Sequence, residues 1–177
     1  MSDVGSISNV GGAFQMDGLS YDLDTLMMTL QMERANNIEQ QLVDQANEVK
    51  KRNATLQSAQ AVLAKLRQSR PEDTDGKASV PNDKIVGPDG TEVSIRDFLK
   101  DNGMWDSGKG WSDLKQTKYD QVIENVKGFM DSLNSSSQMD MIRLQSLTNK
   151  RNQAFDMMSN MISKLAKSRD GIISNIR

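Results

Sequence analysis

From Gln138 the chain reads QMDMIRLQSLTNKRNQAFDMMSNMISKL and continues to Arg177 without a proline, a pattern that commits it to a fold housing one long helix. Apolar residues fall at Met141, Leu144, Leu147, Ala154, Phe155, Met158, Met161, Ile162, Leu165, Ile172 and Ile176, spaced by threes, fours and sevens, which is helical periodicity. The opposite face carries Gln145, Ser146, Asn149, Asn152, Gln153, Ser159, Asn160 and Ser163. It is polar yet uncharged, where a solvated helix more often carries Glu and Lys.

A second helix is expected from Tyr21 to about Ser69, capped by Ser20 or Asp22 and stopped by Pro71. Its seven-residue repeat places Ala35, Leu42, Val49, Leu56 and Leu63 at one seam position and Ile38, Gln45, Arg52, Ala59 and Leu66 at the other. Gln45 and Arg52 interrupt the seam, which suits register selection or contact with several helices. Asp22, Asp24, Glu33, Glu39, Asp44 and Glu48 precede Lys50, Lys51, Arg52, Lys65, Arg67 and Arg70, whereas the last segment has Asp131 and Asp140 early and Lys150, Arg151, Lys164, Lys167, Arg169 and Arg177 late. Antiparallel pairing sets acidic beside basic; parallel pairing sets like beside like. A helix of some 50 residues would extend ~75 Å, longer than an ordinary compact domain of this size.

Composition agrees with helices that bury narrow stripes. A 36% hydrophobic and 5% aromatic content, with mean hydropathy −0.61, is thin for a globular core and leaves apolar surface to be covered between subunits. A formal charge of −2 argues against a nucleic-acid partner. The absence of Cys and His removes thiolate nucleophiles, imidazole bases, structural zinc and disulfides, and no cofactor is expected. No run approaches the roughly 18 apolar residues of a membrane span. The first 33 residues contain neither Lys nor Arg and no apolar core before Leu23, so export would need a route without a classical signal. The Asp, Glu and Lys residues fall at solvated helix positions without a convergent pocket motif, which argues against an enzyme.

Between the helices the sequence is punctuated. Residues 1–19 read as a flexible arm, 20–70 as the first coiled-coil helix, 71–111 as a linker and small insert, 112–134 as a further helix and 135–177 as the terminal coiled-coil helix. In the linker, Asp73 and Asp75 precede Gly76, but Pro71 and Asn82 occupy the first and closing ligand positions of a calcium loop, so that motif fails. Ile85 and Val86, a Gly87-Pro88-Asp89-Gly90 turn, then Val93 and Ile95 suggest a hairpin. Ser94 caps a brief helix through Phe98 and Leu99 that Asn102-Gly103 ends, and Trp105 and Trp111 supply a mini-core or, since Trp is also favoured at interfaces, a binding surface. Ser112 caps the next helix, and Asn134-Ser135-Ser136-Ser137 reads as a joint or a continuous turn. The expected fold is mainly α: a long antiparallel helical hairpin with a small irregular, β-hairpin insert, assembling helically.

This order of parts resembles the type III secretion needle-tip and translocator-filament proteins, the EspA and SseB group. The resemblance is carried by NSSSQMDMIRLQSLTNKRNQAFDMMSNMISKL, with VPNDKI and SIRDFLKDNGMW placed where that group has a small variable region between coiled-coil helices. The hairpin and two Trp of 83–111 depart from its pattern. The resemblance implies an extracellular subunit, secreted by a type III route, that polymerises into a hollow conduit at the bacterial surface. Its implied partners are further copies of itself, a cytosolic secretion chaperone, the needle subunit and translocator proteins. The methionines at 27, 28, 32, 139, 141, 157, 158 and 161 would let one surface refit to a chaperone first and sister subunits later. Candidate oligomerisation residues are Leu42, Val49, Leu56, Leu63, Leu144, Leu147, Phe155, Met158, Met161, Ile162, Leu165 and Ile172. Candidate lumen or inter-subunit polar residues are Gln145, Asn149, Asn152, Gln153, Asn160 and Ser163. Periodicity alone fits a small-oligomer coiled-coil adaptor equally well.

Overall fold

A computed structural model describes residues 13–16, 19–105 and 110–175. Two helices dominate, α1 (Leu23–Gln68) and α3 (Gln116–Asn175), with strands β1 (Ala13–Met16) and β2 (Leu19–Asp22) before α1. Between the helices lie β3 (Lys77–Ala78), β4 (Lys84–Val86), β5 (Glu92–Ser94), α2 (Ile95–Asp101) and β6 (Leu114–Lys115). Among the described residues, three two-stranded antiparallel sheets pair β1 with β2, β3 with β6 and β4 with β5. The chain divides into two compact units, residues 1–44 with 144–177 and residues 45–143, here called the helical unit and the core unit.

The core unit owes its shape to local chemistry that the chain spells out. Gly87 N–H donates to Thr91 O at 2.7 Å and Gly90 N–H to Gly87 O at 3.0 Å, with Gly90 at φ +82°, closing the hairpin whose register pairs Ile85 with Val93. A side chain would strain that backbone angle. Ser94 then caps α2: its hydroxyl accepts from Asp97 N–H at 3.1 Å. Gly103 at φ +70° ends the helix, and Met104 N–H returns to Leu99 O at 2.8 Å.

Apolar side chains from the second half of α1, the insert and the first half of α3 converge there. Ala59, Val62, Leu63 and Leu66 meet Val80, Ile85, Ile95, Phe98, Leu99 and Met104, with Tyr119, Val122, Ile123 and Val126 from α3. Phe98 and Phe129 pack edge to face, 6.4 Å between centroids at 82°. Trp105 and Trp111 stack at 4.1 Å and 14° and pack against this core, as the mini-core reading expects. Arg96 completes the arrangement. Its Nε and Nη2 donate to Val80 O at 3.0 and 2.7 Å, and its guanidinium lies 5.7 Å from the Trp111 ring centroid.

Several boundaries differ from expectation. The helices expected at 112–134 and 135–177 are one helix, since Asn134–Ser137 continues helically. Asn and Ser cost only about half a kcal/mol each relative to Ala, too little to break a packed helix that has no proline there. Ser112 is not its cap, because Leu114 and Lys115 are drawn into β6 against Ala78 and Lys77. The linker of 71–82 therefore contributes a strand. Residues expected to form the end of a flexible arm instead pair, Ala13 with Asp22 and Met16 with Leu19, and α1 starts at Leu23. Residues 1–12 of that arm, with 17 and 18, lie outside the described residues.

Tyr119 is fully buried, and that burial pushes its phenol pKa up, with the Ser69 side chain partly offsetting the shift. The folded state therefore holds the proton that the unfolded chain releases near pH 10. Stability is unchanged below that pH and falls as pH rises from there through the folded-state value. Tyr119→Phe is expected to flatten that alkaline loss in urea titrations between pH 9 and 11, and an equally steep decline in the variant would show that another group causes it.

Candidate interaction surfaces

The polar interruption of the α1 seam has a specific occupant. Gln45 is 7% exposed, and its Nε2 donates to Asp140 Oδ1 at 2.9 Å, while Arg52 Nη1 pairs with Asp140 Oδ2. Both carboxylate oxygens are thereby engaged by α1. The side chains of Arg52 and Asp140 are 24% and 13% exposed, so a leucine facing either would strand a polar group away from water. Nearer the end of α1, Arg70 forks onto Asp120, Nε to Oδ1 at 2.5 Å and Nη2 to Oδ2 at 2.8 Å. As α1 numbers rise from 45 to 70, their α3 partners fall from 140 to 120, which makes the pairing antiparallel. The Arg70 guanidinium beside Asp120 holds that carboxyl below the usual carboxylate range.

In the helical unit, Ala35 and Ile38 of α1 and Leu147 and Ala154 of α3 are buried. Leu42, Leu144, Met158, Met161 and Leu165 are half-buried along the same seam. Val49 and Leu56 are half-buried in the core unit, and Leu63 belongs to its hydrophobic core. Phe155 and Ile162 stand apart, at 46% and 56% exposed. The side chain of Ile172 lies outside the described residues.

Two features of this unit were not anticipated. Gln31 Oε1 and Arg151 Nε are buried without a hydrogen-bond partner, unlike the satisfied Gln45, Arg52 and Asp140 set. Among the described residues, moreover, no ion pair joins the acidic stretch of α1 to the basic stretch of α3; Lys150 instead shares a shallow groove with Glu33, Arg34, Ile38 and Gln41.

The six polar candidates Gln145, Asn149, Asn152, Gln153, Asn160 and Ser163 are all exposed. At roughly 100° per residue they lie opposite the seam, but the same face also includes Ile142, 68% exposed, and Asp156. It is thus less uniform than the amide-rich sequence suggests. Met139 at 68% and Met141 at 61% flank it.

A larger groove, of about 1050 Å³, runs in the core unit between α1 and the β4–β5 hairpin. Ala54, Ser58 and Ala61 line its α1 side, Val86 and Pro88 its hairpin side. Ser58 Oγ donates to Val86 O at 2.7 Å and so pins the hairpin to the helix. Lys65 and Lys84 on its rim are already paired with Asp83 and Glu92, each at 3.1 Å. Among the described residues no cluster of acidic side chains is placed to hold a metal ion, and no helix is long and apolar enough to cross a membrane. Comparison with protein-family models, curated proteins and solved structures finds no match to this chain.

Proposed function

We propose that this chain is a structural subunit of an extracellular type III secretion tip filament, self-assembling into a hollow helical conduit for translocators and effectors. One observation carries the reading: α3 pairs with α1 and still leaves Met139, Met141 and Ile142 61–68% exposed. Such side chains are covered at little cost when copies of the chain meet. The face of Gln145, Asn149, Asn152, Gln153, Asn160 and Ser163 lines the conduit or the contacts between subunits, because a passage for unfolded chains must avoid apolar patches that would trap them. The needle subunit, translocator proteins and a cytosolic chaperone that holds the chain before secretion are the partners in this reading.

Electron microscopy of the purified protein is expected to show open-ended fibres. Met158→Lys and Leu165→Asp should abolish them, but both residues are half-buried in the seam, so the hairpin itself would suffer. Ile142→Lys separates the two effects: helix content by circular dichroism stays constant while fibres disappear. A discrete dimer or trimer under all conditions favours a coiled-coil adaptor instead. A fibre reconstruction with the amide face turned to outer solvent would overturn its assignment.

A further inference from the structure

The helical unit has more apolar surface than two helices use. Its α3 seam repeats as Leu144, Leu147, Arg151, Ala154, Met158, Met161 and Leu165, and a second line spaced by seven, Met141, Thr148, Phe155 and Ile162, runs beside it. A two-stranded coiled coil needs only the narrow seam; a helix with the adjoining line also apolar faces more than one neighbour. On α1, Met32 takes the matching flank at 56% exposed. Between them lies a groove of about 530 Å³, with Met28, Met32, Phe155, Met158 and Ile162 as its large apolar groups.

What covers it is indicated by what it lacks. The polar groups lining the groove are Asn36, Ser159 and Ser163, with no charged side chain. Elsewhere on the same unit Glu33, Glu39, Asp44, Lys150 and Lys164 are all exposed, so the unit carries charge on its surface and none in this groove. A contact across a two-fold axis sets each group against a surface identical to its own, and a charged lining would repel itself. Amide and hydroxyl groups serve as donor and acceptor at once.

We propose that this groove is the contact between two copies of the chain, related by a two-fold axis, in which their helical units form a four-helix bundle. The inference rests on the reading that copies of this chain associate, and not on secretion. Because a two-fold contact closes on itself, the dimer is a building block, and growth of a fibre uses a different surface, the exposed Met139 and Ile142 region.

The chain contains no cysteine, so one introduced thiol reports cleanly. Full-length Ser159→Cys is expected to give a covalent dimer with a short bismaleimide, and Lys150→Cys, exposed and half a turn round α3 from Ser159, to give none at the same concentration. Light scattering should read a dimer at fibre-free concentrations, and Ile162→Lys should convert it to a monomer with unchanged helix content. A monomeric parent protein, or cross-linking of Ser159→Cys that persists with Ile162→Lys, would overturn the dimer. Fibres without a cross-link at position 159 would overturn it while leaving the filament reading intact. Dimers that never form fibres would do the reverse.

Discussion

Asp140→Leu is expected to cost roughly 2–3 kcal/mol of folding free energy, somewhat below the ~3–5 kcal/mol typical of breaking a fully buried pair, because a quarter of the Arg52 side chain still reaches water. The loss comes less from the missing attraction than from what remains: Arg52 keeps a charge with no counter-ion, and Gln45, 7% exposed, keeps an amide with no acceptor. Removing all three polar groups together, Gln45→Leu with Arg52→Met and Asp140→Leu, should therefore restore stability to within about 1 kcal/mol of the parent or exceed it. What the triple variant forfeits is register. With this stretch of the seam apolar, its register is set by shape alone and can slip by one heptad at lower cost, and amide spectra should show more than one conformer. Urea denaturation of the single and triple variants is the measurement; equal stability of Asp140→Leu and the parent protein would show that the cluster is solvated and sets nothing.

That cluster also marks where sequence reasoning succeeds and where it stops. Heptad arithmetic locates Gln45 and Arg52 as breaks in a seam, and charge order points to an antiparallel partner, but neither identifies Asp140, which depends on the axial offset of two helices. Short-range chemistry is legible throughout: the Gly87–Gly90 turn, the Ser94 cap and the Gly103 stop each depend on a few neighbouring residues. The β1–β2 pairing has a signal in the chain, Asp17-Gly18 between Phe14 and Tyr21, a dipeptide favoured in tight hairpins. The two-residue β3 and β6 strands have none, since they exist only because the insert brings its ends together. Phe155 and Ile162 satisfy the same threes and fours as Leu144 and Leu147, so helical periodicity alone cannot separate flank from seam. Following the seven-residue repeat separates them, and it also places Ile142 and Asp156 on the amide face.

Phe98→Ala is expected to be the most damaging single truncation in the core unit, at about 3–5 kcal/mol. Phe98 is 2% exposed and reaches across from α2 to the edge of Phe129. Its helix spans the seven residues Ile95–Asp101, far below the length at which a helix holds itself together in water, so α2 exists because Ile95, Phe98 and Leu99 are packed. The cavity left by a phenyl ring cannot be filled by neighbours already fixed on two long helices, whereas Phe98→Leu leaves most of the volume occupied and should cost only about 1–2 kcal/mol. Against the ~5–15 kcal/mol that holds an ordinary domain together, the alanine variant spends a large share, and the loss should appear first where local support is weakest. Amide exchange is expected to accelerate in α2 and in the β4–β5 hairpin, which Ser58 ties to α1 at Val86, well before it does along residues 144–165 of α3. Uniform acceleration across both units would mean that the helical unit unfolds with the core. An alanine variant no less stable than the leucine one would remove Phe98 from the centre of that core.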